Sequence, residues 1–143
     1  MRYTQVPVSV PLVRETTGPG LLNPADAARC CADLRDLGQE AFIVLTVSQK
    51  HAIIARRVVS IGTLSESICH MRDVFRAAIE DNAARVIVAH NHPSGDPTPS
   101  HADRALTERL IASGKLLGVA LLDHLVIGRD EWVSIVNGDR GRL

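Results

Sequence analysis

Two histidines stand two places apart at the end of an apolar run, where Val86-Ile87-Val88-Ala89 leads into His90-Asn91-His92. In an extended chain, residues two apart point to the same side, so both imidazoles face one way and Asn91 the other. Pro93 biases His92 toward extended backbone angles and keeps that geometry to the end of the strand. Two neutral imidazoles on one face make half of a zinc site. For His90 and His92 taken alone, the alternative is a pair of hydrogen-bonded structural histidines.

The next residues offer a third ligand. Residues 93–99 contain Pro93, Gly95, Pro97 and Pro99, the composition of a stiff, folded-over loop. Ser100-His101-Ala102-Asp103 then reads as a capping-box-like helix start. A carboxylate in the first turn is also favoured by the helix dipole. If the loop folds the helix start back over the strand end, Asp103 meets His90 and His92. Two nitrogens and one oxygen leave a fourth tetrahedral position for water, an arrangement typical of catalytic zinc. The cap role is by itself sufficient to explain Ser100.

His-x-His, a serine eight residues after the second histidine, and an aspartate three further on resemble the JAMM (MPN+) metalloprotease motif. The wording of residues 90–100, together with Gly62-Thr63-Leu64, Met71-Arg72-Asp73-Val74-Phe75 and Asp123-His124, resembles the RadC branch of that superfamily. The similarity runs from about Gln39 to Ser134. It implies an α/β sandwich of the JAMM, cytidine-deaminase-like kind, with a central mixed β-sheet flanked by helices. It also implies zinc held by His90, His92 and Asp103, with Glu40 as general base and Ser100 holding the developing oxyanion. The implied reaction is hydrolysis of a peptide or isopeptide bond in a peptide or protein substrate. A Glu before an apolar strand is otherwise often a solvated strand end. RadC proteins also carry a DNA-repair association, so a DNA-associated accessory module is the alternative, and a zinc-stabilised interaction domain without turnover is a third reading. Longer members place a helix-hairpin-helix region in front of this domain, and none is expected in the short stretch before Asn23.

The elements that must position these residues follow in order. Residues 1–22 are expected as an arm or edge strand, because Pro7 and Pro11 interrupt the alternation of residues 6–13. Such an arm can dock on a second copy of the chain, as in a homodimer. Residues 23–143 form the RadC-like domain. Asn23-Pro24 is a helix start, and Ala27, Cys30, Cys31, Leu34 and Leu37 recur at helical spacing up to Gly38. Residues 40–47 and 52–60 make a hairpin. The helix carrying Val74, Phe75, Ala78 and Ile79 leads to the His90 strand. The Ser100 helix is expected to end at Gly114, followed by a strand over residues 119–127. Asp123 and His124, polar within that apolar strand, require partners, either near the site or purely structural ones. Residues 132–135 form a short edge strand, and the polar tail from Asn137 is expected to fray.

The chain has 143 residues, enough for one domain with a real core. Sixteen basic and sixteen acidic side chains give no net charge, so bulk charge makes no demand for nucleic acid. Cys30, Cys31 and Cys69 are odd in number and lack C-x-x-C spacing, which fits a reducing cytoplasm better than a secreted disulfide framework. Cys30 and Cys31 are expected to pack as small apolar groups. No apolar run reaches membrane-spanning length and the first residues do not read as a signal peptide, so no membrane association is expected.

Overall fold

The computed structural model describes residues 20, 23–62 and 69–143. The arm over residues 6–13, the Thr63-Leu64 loop and Glu66 lie outside the described residues.

A run of apolar residues without alternation marks a strand buried on both faces. β1 (Ala41–Val47) is such a strand, buried at every position, and it pairs antiparallel with β2 (Ile53–Ile61). On its other side β1 pairs antiparallel with β3 (Arg85–Asn91), the strand that carries His90. β3 pairs parallel with β4 (Ala120–Ile127), and antiparallel β5 (Glu131–Ser134) and β6 (Arg140–Arg142) complete a mixed sheet of order β2-β1-β3-β4-β5-β6.

Side chains leave alternate faces of these strands and build two apolar layers. On one face Ile43, Leu45, Ile87, Ala89, Leu125 and Ile127 pack against Ala27, Cys31 and Leu34 of the N-terminal helical segment. On the other, Phe42, Val44, Val86 and Val88 pack against α2 (Met71–Glu80) and α3 (His101–Leu117) through Val74, Phe75, Ala78 and Leu110. The fold is therefore a central mixed sheet flanked by helices. Among the described residues, no helix is long and apolar enough to cross a membrane.

Three expectations are corrected. The single helix after Asn23 is two pieces, α1 (Pro24–Cys30) and a 3-10 turn over Ala32–Asp36. Cys31, Leu34 and Leu37 are spaced by three, the period of the tighter helix, and Leu34 N–H to Cys31 O and Leu37 N–H to Leu34 O follow that pattern. Cys31 is fully buried there, and burial pushes its thiol up to about 12, so it packs as an apolar group.

The Ser100 helix runs past Gly114 and ends at Gly118, which takes the left-handed conformation and donates its N–H to Gly114 O. Gly114 serves instead as a close approach. A Cβ there would sit 2.2 Å from the carbonyl oxygen of Val119. The polar tail does not fray, because Gly141 lets β6 lie against the Trp132 ring and Arg140 reaches Glu131 at 3.0 Å.

Candidate metal centre

β3 delivers His90 near its end, with the ring on the α2/α3 face stacked on Phe42 at a centroid distance of 5.9 Å. Phe42 and His90 are partners in the β1–β3 register. Asn91 points the other way and is buried. Its side-chain oxygen accepts the Ala41 N–H at 2.7 Å, and its amide donates to the Gln39 carbonyl at 3.0 Å. Asn91 thus fixes the backbone on both sides of Glu40.

His92 follows β3, tied to the sheet by its N–H to the Ile127 carbonyl at 3.0 Å. Its Nδ1 lies 2.8 Å from the Asp96 carbonyl, an acceptor only, so Nδ1 carries the proton and Nε2 of the neutral ring presents a lone pair. The intervening loop turns back through Gly95, whose φ of 89° is in the left-handed region. The loop then docks on the turn after β4, where a side chain at Gly128 would strike the Gly95 carbonyl at 2.5 Å.

The fold-back brings the start of α3 over the histidines. Ser100 Oγ accepts the Asp103 N–H at 3.0 Å, and the Asp103 carboxylate accepts the Ser100 N–H at 2.8 Å, a reciprocal capping box. That box aims the carboxylate at the rings, with Oδ2 shared between the Ser100 N–H and His92 and Oδ1 facing His90. Asp103 oxygens lie 3.2 Å from His90 Nε2 and 3.1 Å from His92 Nε2, and the two Nε2 atoms are 3.1 Å apart. His90, His92 and Asp103 each offer one ligand atom, all within 4.8 Å of one another.

This donor set fits a divalent cation of borderline softness. A carboxylate and imidazole nitrogens that turn lone pairs toward one point repel each other unless a proton or a metal ion sits between them. Burial works against the Asp103 carboxylate, yet the His90 and His92 imidazoles that face it outweigh burial and hold the group well below the ordinary carboxylate range. The bond to Asp103 raises His92 above the ordinary histidine value against the effect of burial.

Glu40 stands immediately before β1, half-buried, with its carbonyl accepting the Gly62 N–H at 2.6 Å. It precedes Phe42 by two residues and so shares the face on which Phe42 meets His90. Extending the Phe42–His90 register by two places sets Glu40 across from His92, and its negative charge contributes to raising His92. Ser100 caps α3 through an oxygen lone pair, which leaves its hydroxyl proton for another acceptor.

Asp123 and His124 part company. Asp123 turns to the opposite face, where one oxygen accepts from Ser134 Oγ at 2.7 Å and from the His124 N–H at 2.8 Å. His124 is fully buried behind His90, with its Nε2 2.8 Å from His90 Nδ1 and its Nδ1 2.7 Å from Thr107 Oγ1. Burial first, and the nearby His90 second, push its pKa down to about 3. Thr107 and the role of Asn91 are absent from the sequence reading. The available signals were Thr107 four residues after Asp103 on the same helix face, and a lone amide inside a buried strand.

A cavity of about 520 Å³ bordered by Gly95, Pro97, Asp130, Glu131 and Arg142 contains none of the three ligand candidates, so the donor atoms and not concavity identify the site.

Fold and cluster together define a class: an α/β domain in which a strand end presents His-x-His to a carboxylate in the first turn of the next helix. The chain belongs to the RadC-like JAB domain family, whose model matches residues 21–141. It is 48% identical over 103 residues to a UPF0758 protein of Desulforamulus reducens, covering 72% of this chain and 45% of that protein. It is 42% identical over 128 residues to a UPF0758 protein of Clostridium perfringens, covering 89% and 56%. A UPF0758 protein of Pelobacter propionicus is 49% identical over 111 residues, covering 78% and 48%. The chain spans about half the length of these curated relatives, and none of their names states an activity.

Proposed function

We propose that this chain is a zinc-dependent hydrolase that cleaves a peptide or isopeptide bond. The observation that supports it is the convergence of His90 Nε2, His92 Nε2 and the Asp103 carboxylate within 4.8 Å at the mouth of the sheet. His90, His92 and Asp103 would hold the ion. A zinc ion supplies Lewis acidity, polarising a carbonyl and making water acidic enough to attack it near neutral pH.

The protein's own residues handle the protons. Glu40 takes one from the attacking water and returns it to the amine nitrogen as the C–N bond breaks. Ser100 donates its hydroxyl to the carbonyl oxygen as negative charge develops there. Asn91 holds Glu40 to its place through Ala41 and Gln39. A DNA-associated role gains no support from overall charge, which is balanced at sixteen of each sign.

The test is cleavage of a panel of peptides and isopeptide-linked conjugates by the full chain, before and after removal of metal by a chelator. Cleavage that disappears with the metal and returns with added zinc is expected. A fully zinc-loaded chain that cleaves no member of the panel would overturn the enzymatic reading in favour of a metal-stabilised binding module.

A further inference from the structure

A neutral histidine binds a metal through one ring nitrogen only while the other nitrogen carries the proton, so the outer hydrogen bond decides whether the ligand is ready. For His92 the Asp96 carbonyl settles this. For His90 the outer partner is another imidazole, His124 Nε2 at 2.8 Å. An imidazole nitrogen donates in one tautomer and accepts in the other, so this contact alone leaves His90 undecided.

The next group along decides it. Thr107 Oγ1 donates its single proton to the Asp103 carbonyl at 2.8 Å and lies 2.7 Å from His124 Nδ1. With that proton committed, the hydroxyl meets His124 only as an acceptor, and His124 carries its proton on Nδ1. His124 Nε2 then accepts, His90 carries its proton on Nδ1, and the lone pair of His90 Nε2 faces Asp103 and His92. We propose that Thr107 and His124 are positioning residues, a hydrogen-bonded relay that holds His90 in the metal-binding tautomer. The proposal rests on the zinc reading above.

The surroundings suit this task. His124, His90 and Thr107 are 0%, 1% and 4% exposed, so no bulk water competes for these bonds. Phe42 stacks on His90 and meets His124 edge-on at 5.6 Å, which restrains both rings. The relay starts on the backbone of one ligand residue, Asp103, and ends on the side chain of another, His90. It thereby links the first turns of α3 to β3. A neutral imidazole also draws less on the His90 proton than a carboxylate would, so His90 stays a weaker donor to the ion and the ion stays more electrophilic. Turning the Thr107 hydroxyl toward His124 would reverse every bond in the chain and point an N–H from His90 at Asp103.

The test combines nitrogen-15 histidine NMR with zinc titration of the full chain and of Thr107→Val and Thr107→Ser. We expect His90 and His124 both protonated on Nδ1 in the metal-free protein. Zinc binding should weaken by ~10–100-fold in Thr107→Val, the usual effect of losing an outer partner, and recover in Thr107→Ser. A proton on Nε2 of either ring overturns the relay even if a variant folds poorly. Equal zinc affinity in the parent and Thr107→Val overturns it while leaving the zinc reading intact. A parent chain that takes up no zinc overturns the zinc reading and this role with it.

Discussion

Turnover of a peptide or isopeptide substrate is expected to fall by ~10²–10⁴-fold in Glu40→Gln while zinc content stays unchanged, because that is the usual worth of a positioned base. Glutamine keeps the size and one carbonyl oxygen but cannot take up and return a proton. Glu40 lies between the two backbone groups, Gln39 and Ala41, that Asn91 holds by hydrogen bonds, and it shares the sheet face of His90. The substitution therefore leaves the backbone fixed and removes only the acid–base function. Glu80 is the control. It sits at the end of α2 beside Arg57 and Arg76, at 3.3 and 4.0 Å, and Glu80→Gln is expected to remain active. Glu66→Gln is a second control, at a position outside the described residues. Kinetics on zinc-quantified samples decide the matter. Near-normal activity in Glu40→Gln would remove it from the mechanism, and zinc loss would make it a ligand or a support of one.

Zinc retention should collapse in the ligand variants. Asp103→Ala and His92→Ala each remove a donor atom from the cluster, and each should weaken zinc by more than the ~10–100-fold typical of an outer partner. The fold should survive Asp103→Ala, since the Ser100 oxygen still caps the backbone N–H of residue 103, and half a capping box contributes only about 1 kcal/mol. His92→Ala is the milder histidine change, because His90 also carries the Phe42 stack and the bond to His124. The His90→Ala, His92→Ala double variant should retain no zinc after dialysis. Metal analysis beside circular dichroism separates ligand loss from unfolding, and full zinc content in the folded double variant would place the site elsewhere.

The ligand candidates were legible in the sequence because their geometry is local. The period of a strand sets His90 and His92 on one side, and the Ser100–Asp103 spacing dictates a capping box that puts a carboxylate in the first turn. What lies behind His90 was only half legible: Asp123 and His124 stood out as polar in an apolar strand, but not which of them reaches the site. His124 is 34 residues away in sequence and reaches His90 only through the parallel β3–β4 register, which contains a shift between Val86 and Ile87. No local pattern reports such a register. The break after Cys30 was hidden for a different reason, since spacings of three and four serve both helix types. Gly114 reads as a helix end because a glycine needed for close approach to Val119 looks, in sequence, like one needed for a left-handed cap. β6 depends on the contact between Gly141 and Trp132, which polar composition conceals.

X-ray absorption at the zinc edge of the zinc-loaded chain reads the ligand set itself. One zinc per chain is expected, with only nitrogen and oxygen neighbours at ~2.0–2.1 Å and the scattering signature of two imidazoles. A sulfur neighbour at ~2.3 Å, from Cys30, Cys31 or Cys69, or a spectrum without imidazole, would contradict it.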